Sequence, residues 1–141
     1  MYHLKTSATF DSAHFLSGYQ GKCANLHGHT WRIDVEIASE QLEWEGEKRG
    51  MLLDFNDLKK IVKNLADSFD HTLIYEENTL QNTTVEALSA EGFHLTTVPF
   101  RPTAECFAKH FYTNLKDSGL PIYRITVYET PNNCATYRKE N

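Results

Sequence analysis

Hydrophobic and polar positions alternate cleanly through residues 27–38. His27, His29, Trp31, Ile33, Val35 and Ile37 fall on one side, and Thr30, Arg32, Asp34 and Glu36 on the other. A period of two is that of a strand with one face toward a core, so the two histidines prolong a core-facing stripe. Residues 2–14 alternate more loosely, are rich in Thr, Ser, Phe and Tyr, and read as a partner strand. Between them, residues 15–26 contain Gly18 and Gly21 and are too many for a tight turn, which predicts a long hairpin loop.

Beyond the charged stretch 40–50 the period changes. Phe55, Leu58, Ile61, Val62, Leu65 and Phe69 form one helical stripe behind a capping Asp54, which predicts a helix over 55–69. A polar insertion, residues 75–97, follows, with a short helix near 85–90 and a short strand near 93–98. Pro102 and Thr103 open a second long helix reaching 117, with Phe107, Phe111 and Leu115 inward and Gly119 as its stop. Strands over 122–129 and 134–138 close the chain. Strands grouped at both ends around two helices predict one α+β domain over 1–141, an antiparallel sheet with two helices on one face.

The chain has 141 residues, 40% of them hydrophobic, enough to bury a core without disulfides or a metal staple. Fourteen Lys and Arg against 19 Asp and Glu give a net charge of −5, with no basic run, so nucleic acid is not an expected partner. No apolar run approaches the ~20 residues of a membrane span and the first residues lack a signal-peptide pattern, so a cytoplasmic protein with no membrane partner is expected. Cys23, Cys106 and Cys134 are odd in number, widely spaced and without a Cys-x-x-Cys pair, which argues against a disulfide framework.

The chemistry concentrates on histidines. His27 and His29 on one strand point the same way, and an antiparallel partner ending at His14 delivers a third imidazole. That set suits a metal such as Zn²⁺ with an open fourth position. Gly28 between the ligands suggests a crowded backbone. Cys23, four residues before His27, is either a fourth ligand of a closed site or a thiolate acting as base beside the cation. Asp70-His71 beyond the first helix can be an oriented imidazole or a solvent-exposed pair. Glu105 lies in the first turn of the second helix, where a carboxylate suits the helix dipole, and Glu129 is a strand carboxylate among Tyr and Val that wants a partner.

Six motifs carry a resemblance over nearly the whole chain: Phe10-Asp11-Ser12-Ala13-His14, Cys23-Ala24-Asn25-Leu26-His27-Gly28-His29, Gly50-Met51-Leu52-Leu53-Asp54-Phe55, Asp70-His71, Pro102-Thr103-Ala104-Glu105 and Tyr128-Glu129-Thr130. With them the chain resembles the 6-pyruvoyltetrahydropterin synthase and 6-carboxytetrahydropterin synthase family. The resemblance implies the tunnelling fold, an oligomeric barrel of neighbouring subunits' strands with active sites at their contacts, here a homohexamer built as a dimer of trimers. It implies zinc on His14, His27 and His29, Cys23 as the proton-abstracting base, Asp70, His71 and Glu129 as the relay around it, and Glu105 with Thr103 as anchor of a pterin ring. The implied reaction is lysis of 7,8-dihydroneopterin triphosphate, with the carboxy-forming branch, which serves queuosine formation, favoured by Leu53-Asp54-Phe55 over the pyruvoyl branch. Two rival readings are a non-catalytic zinc-stabilised pterin- or purine-binding module and a Cys23-His71 nucleophile with acyl chemistry. The insertion is longer than the family's compact bacterial members lead one to expect.

Overall fold

Two long strands organise the molecule, whose computed structural model describes residues 1–140. β1 (Tyr2–His14) and β2 (His27–Ser39) pair antiparallel throughout, from Tyr2 opposite Ser39 to His14 opposite His27. Their core-facing side chains, Phe10, Trp31, Ile33, Val35 and Ile37, are at most 1% exposed. α1 (Phe55–Asp67) follows, its N-terminus capped by Asp54 Oδ1, which accepts from the Asn56 amide at 2.8 Å. Leu58, Val62 and Ala66 are buried against the ribbon.

Two positions of that helical stripe differ from expectation. Phe55 is exposed, because a side chain in the first turn leans back toward the N-terminus, past the packed part of the helix. The helix also ends at Asp67, yet Phe69 stays buried, held in the turn that follows.

The larger correction concerns residues 73–98. They form a β-α-β unit: β3 (Leu73–Glu76), α2 (Asn82–Ala90) and β4 (Leu95–Val98), with β3 parallel to β1 and β4 parallel to β3. The sheet is therefore mixed rather than antiparallel; the short helix and short strand expected within the insertion are present as α2 and β4, and β3 with its parallel pairing was not expected. A strand of four residues such as β3 is too short to display alternation, and parallel pairing leaves no mark in the sequence.

α3 (Ala104–Asp117) starts at Thr103, whose hydroxyl accepts from the Cys106 amide, and stops before Gly119 at φ +93°. It turns Phe107, Phe111 and Leu115 inward against β5 (Ile122–Thr130) and β6 (Asn133–Tyr137). The sheet order is β4-β3-β1-β2-β5-β6, with α1 and α3 on one face as the sequence implied. Burial of each large core side chain contributes roughly 1.5–3 kcal/mol.

The other face of the ribbon is charged. Asp34 and Glu36 are nearly buried there, Asp34 by Arg32 at 3.0 Å and Lys5 at 3.4 Å, Glu36 by His3 at 2.9 Å and Arg124 at 2.5 Å. Among the described residues no helix is long and apolar enough to cross a membrane.

Candidate active site

The pairing register brings the histidines together. His14 sits opposite His27, and His29 is two residues further along the same face, so all three imidazoles leave the ribbon on its core side. One ring nitrogen from each lies within 4.8 Å of the others, and among the described residues no cysteine or carboxylate joins the group at that spacing. Trp31 floors the cluster, with its ring 5.0 Å from His14 and 5.5 Å from His29.

Backbone carbonyls fix the tautomers. His14 Nδ1 donates to Pro102 O at 2.8 Å, and His27 Nδ1 donates to Asn25 O at 2.7 Å. A carbonyl only accepts, so each ring carries a proton on Nδ1 and in its neutral form presents a lone pair at Nε2. Those two Nε2 atoms face one another at 3.1 Å. Two lone pairs at that separation repel unless a cation lies between their directions. Nitrogens about 2.05 Å from a tetrahedral zinc would stand about 3.3 Å apart, so the spacing suits a shared ion.

His29 adds a second sign. Its Nε2 is buried without a hydrogen bond, although Glu129 Oε1 lies 3.2 Å away out of alignment. Burial pushes the His14 imidazole down to about 4, and it lowers His29 as well, against the opposing pull of Glu129. Neutral rings are what metal ligation needs. The donor set therefore fits a metal ion, and outer carbonyls already orient two of its ligands.

Gly28 is not explained by crowding, since an added Cβ there would stand 3.6 Å from Ser12 O, an ordinary contact. Cys23 lies in a 3₁₀ turn (Lys22–Ala24), half-buried, and its carbonyl accepts from the Leu16 amide at 2.9 Å, folding the loop back on itself.

Asp70 and His71 return to β1. The His71 amide donates to Asp11 O at 2.7 Å, Asp70 Oδ1 accepts from the Asp11 amide at 2.8 Å, and Asp70 Oδ2 accepts from His71 Nδ1 at 2.9 Å. His71 takes a positive φ of 55° to make this turn. The bond from Asp11, and next the one from His71, hold the Asp70 carboxyl below its ordinary value. His71 opens on a groove of about 700 Å³ shared with Asp11, Thr30, His29, Leu88 and Phe93. Asp11 and Thr30, bonded to each other, belong to the ribbon's charged face, opposite the one from which the imidazoles leave.

The start of α3 lies against the cluster, because the Pro102 carbonyl bonded to His14 directly precedes Thr103 and is three residues before the exposed Glu105. Glu129 is brought to His29 by the β2–β5 pairing. What sequence reasoning missed are the two orienting carbonyls and Arg101, whose Nη2 donates to Ser17 O at 3.0 Å. Carbonyls carry no residue-type signature, and a single arginine before a proline offers none.

A helix-backed mixed sheet that gathers three imidazoles at the end of its longest ribbon is the framework of an α+β protein able to hold a metal ion. The chain belongs to the 6-pyruvoyl tetrahydropterin synthase family, whose profile matches residues 3–140. Membership places it among the tetrahydropterin synthase lyases. It is 39% identical over 99% of its length to the whole of the 6-carboxy-5,6,7,8-tetrahydropterin synthase of Haemophilus influenzae. It is 30% identical, over 92% of its length and 87% of the relative's, to the enzyme so named in Synechocystis. In fold it is similar to an uncharacterized protein of Wolinella succinogenes, with a TM-score of 0.78 and 19% identity over 99% and 98% of the two chains. It is also similar to the 6-pyruvoyl tetrahydropterin synthase of Caenorhabditis elegans, with a TM-score of 0.66 and 24% identity over 99% and 96%.

Proposed function

We propose that the chain is a cytoplasmic zinc-dependent lyase that converts 7,8-dihydroneopterin triphosphate to 6-carboxy-5,6,7,8-tetrahydropterin, acetaldehyde and triphosphate. The observation that carries the reading is the pair of Nε2 lone pairs 3.1 Å apart, fixed by the Pro102 and Asn25 carbonyls, in a chain of this family. Full-length likeness to the Haemophilus enzyme supports the carboxy-forming branch.

His14, His27 and His29 would hold the zinc, which when bound supplies a Lewis acid that acidifies the substrate's side-chain hydroxyls. Cys23, in the loop joining the ligand strands, removes a proton from a side-chain carbon, and triphosphate leaves by elimination. Asp70 fixes the His71 ring through Nδ1, so that Nε2 is free to pass the proton on. Glu129 beside His29 completes the relay. Glu105 accepts two hydrogen bonds from the 2-amino-pyrimidine edge of the pterin, where the start of α3 favours negative charge, and Thr103 lies beside it. Release of the two-carbon fragment takes up one water; the pyruvoyl branch keeps the carbon chain and takes up none.

We also infer a homohexamer, a dimer of trimers with the barrel of the tunnelling fold, in which one chain's histidines and Cys23 work with a neighbour's Asp70-His71. Within one chain the groove that His71 lines reaches His29 but is lined by neither His14 nor His27 nor Cys23. Cys23→Ala and His71→Ala proteins should each be nearly inactive, and refolding them together should restore activity, because some sites then hold both wild-type residues. A mixed assembly, verified by mass, that stays inactive would remove the shared site.

The function itself is tested by incubating zinc-loaded protein with 7,8-dihydroneopterin triphosphate and measuring acetaldehyde. Acetaldehyde equal to triphosphate is the expected result. Triphosphate release without acetaldehyde would move the chain to the pyruvoyl branch, and an unconsumed substrate would leave a binding module.

A further inference from the structure

The loop that carries Cys23 is twelve residues joining two strands, and its own backbone bonds close it only locally, Leu16 to Cys23 and Tyr19 to Leu16. One side chain from elsewhere braces it. Arg101, at the foot of α3, donates from Nη2 to Ser17 O at 3.0 Å and lays its guanidinium 5.8 Å from the centre of the Tyr19 ring. Arg101 Nε is buried without a partner, so the group is held in place at some cost rather than left in water. The Tyr19 ring in turn lies on Gly21. A Cβ on Gly21 would come within 2.7 Å of Tyr19 Cε1, so this contact depends on glycine. Gly21 is the residue from which the 3₁₀ turn holding Cys23 begins, and the Ala24 amide bonds back to its carbonyl at 3.1 Å.

The chain of contact therefore runs from Arg101 through Tyr19 and Gly21 to Cys23. Its fixed end is shared with the histidine cluster, because the next residue after Arg101 is Pro102, whose carbonyl orients His14. We propose that Arg101 is a positioning residue: with Tyr19 it sets the Cys23 loop against the histidine cluster. The inference rests on the reading of Cys23 as the base. It gives one short segment, residues 101–105, three duties: orienting a ligand, anchoring the substrate ring and bracing the loop of the base.

Trypsin provides a readout independent of turnover, since Lys22-Cys23 is a cleavable bond within the loop whereas Arg101-Pro102 is not. Arg101→Gln and Tyr19→Ala should each speed cleavage after Lys22 by about tenfold, the equivalent of one charge-assisted hydrogen bond. Tyr19→Phe, which keeps the ring, should retain slow cleavage. The two loosening variants should lose kcat with KM little changed, and the double variant should be no worse than the poorer single one. Circular dichroism matching the parent's shows that the loop and not the domain has opened.

Cleavage after Lys22 unchanged in both variants would overturn the brace. So would a raised KM in Arg101→Gln with Tyr19→Ala silent, because Arg101 would then be touching substrate. Faster cleavage with normal turnover would also overturn it if Cys23→Ala is inactive. If Cys23→Ala is itself active, the base assignment fails while the cleavage rates still decide whether Arg101 braces the loop.

Discussion

β2 has two halves that share a ladder, a face and a partner strand but bury opposite kinds of surface. From Ile33 to Ile37 the stripe is carbon packed against α1 and α3, and every member is fully buried, while Trp31, whose buried indole Nε1 has no partner, stands at the border. At His27 and His29 the same stripe buries ring nitrogens, and there the hydrogen-bonding account does not close: two lone pairs face each other and a third nitrogen has no partner. An apolar half is satisfied by packing alone, so its loss is felt as stability. The imidazole half is complete only when something outside the chain is added, so its loss should be felt as binding and chemistry.

The largest effect expected from that contrast is on metal. His27→Ala or His29→Ala should weaken zinc retention by more than about a hundredfold, beyond the loss caused by removing an outer-shell partner. Cys23→Ala should keep zinc while losing turnover, as measured by metal content after gel filtration beside an acetaldehyde assay. Full zinc in both histidine variants would break the comparison at its centre. Ile33→Ala should do the reverse. It removes a buried side chain mid-strand and should cost about 2–5 kcal/mol, a fall in Tm of roughly 10 °C, while the protein that remains folded keeps its zinc. Zinc loss in that variant at temperatures where it is folded would mean that the two halves are not separable.

The contrast also explains what was legible beforehand. Alternation along β2 and the Asp54 cap of α1 are local signals, and both elements appear where the residues place them. The meeting of His14 with His27 follows from an antiparallel hairpin in register, so the cluster could be read before its geometry was known. Residues 73–98 could be read only in part: α2 and β4 stand where a short helix and a short strand were expected, but β3 and the parallel pairing could not be foreseen. β3 and β4 are held by parallel pairing to strands distant in sequence, which leaves no periodic mark in four residues. The same is true of the turn at Asp70-His71. There the chain folds back onto Asp11, three residues before His14. Its backbone partner there is a strand edge, and sequence does not announce which edge is free.

The smallest effect is the dependence of the metal-free protein on pH. Burial pushes His14 down to about 4 from an ordinary 6.5, with the Pro102 bond opposing and the imidazoles of His27 and His29 reinforcing it; burial lowers His29 and His110 too. The unfolded chain accepts a proton below about 6.5 that folded His14 refuses until about 4, so the stability this residue contributes is complete above 6.5 and declines as pH falls toward 4. Each such proton gives a slope of at most about 1.4 kcal/mol per pH unit. Melting of chelated protein between pH 7.5 and 4.5 should show Tm falling below 6.5, and His14→Gln should remove the largest share of that slope. Ile33→Ala should lower the whole curve and leave its slope alone, because carbon has no proton to take up. A flat profile for the chelated parent would show that the imidazole half is satisfied without an ion, and the distinction between the two halves of β2 would be lost.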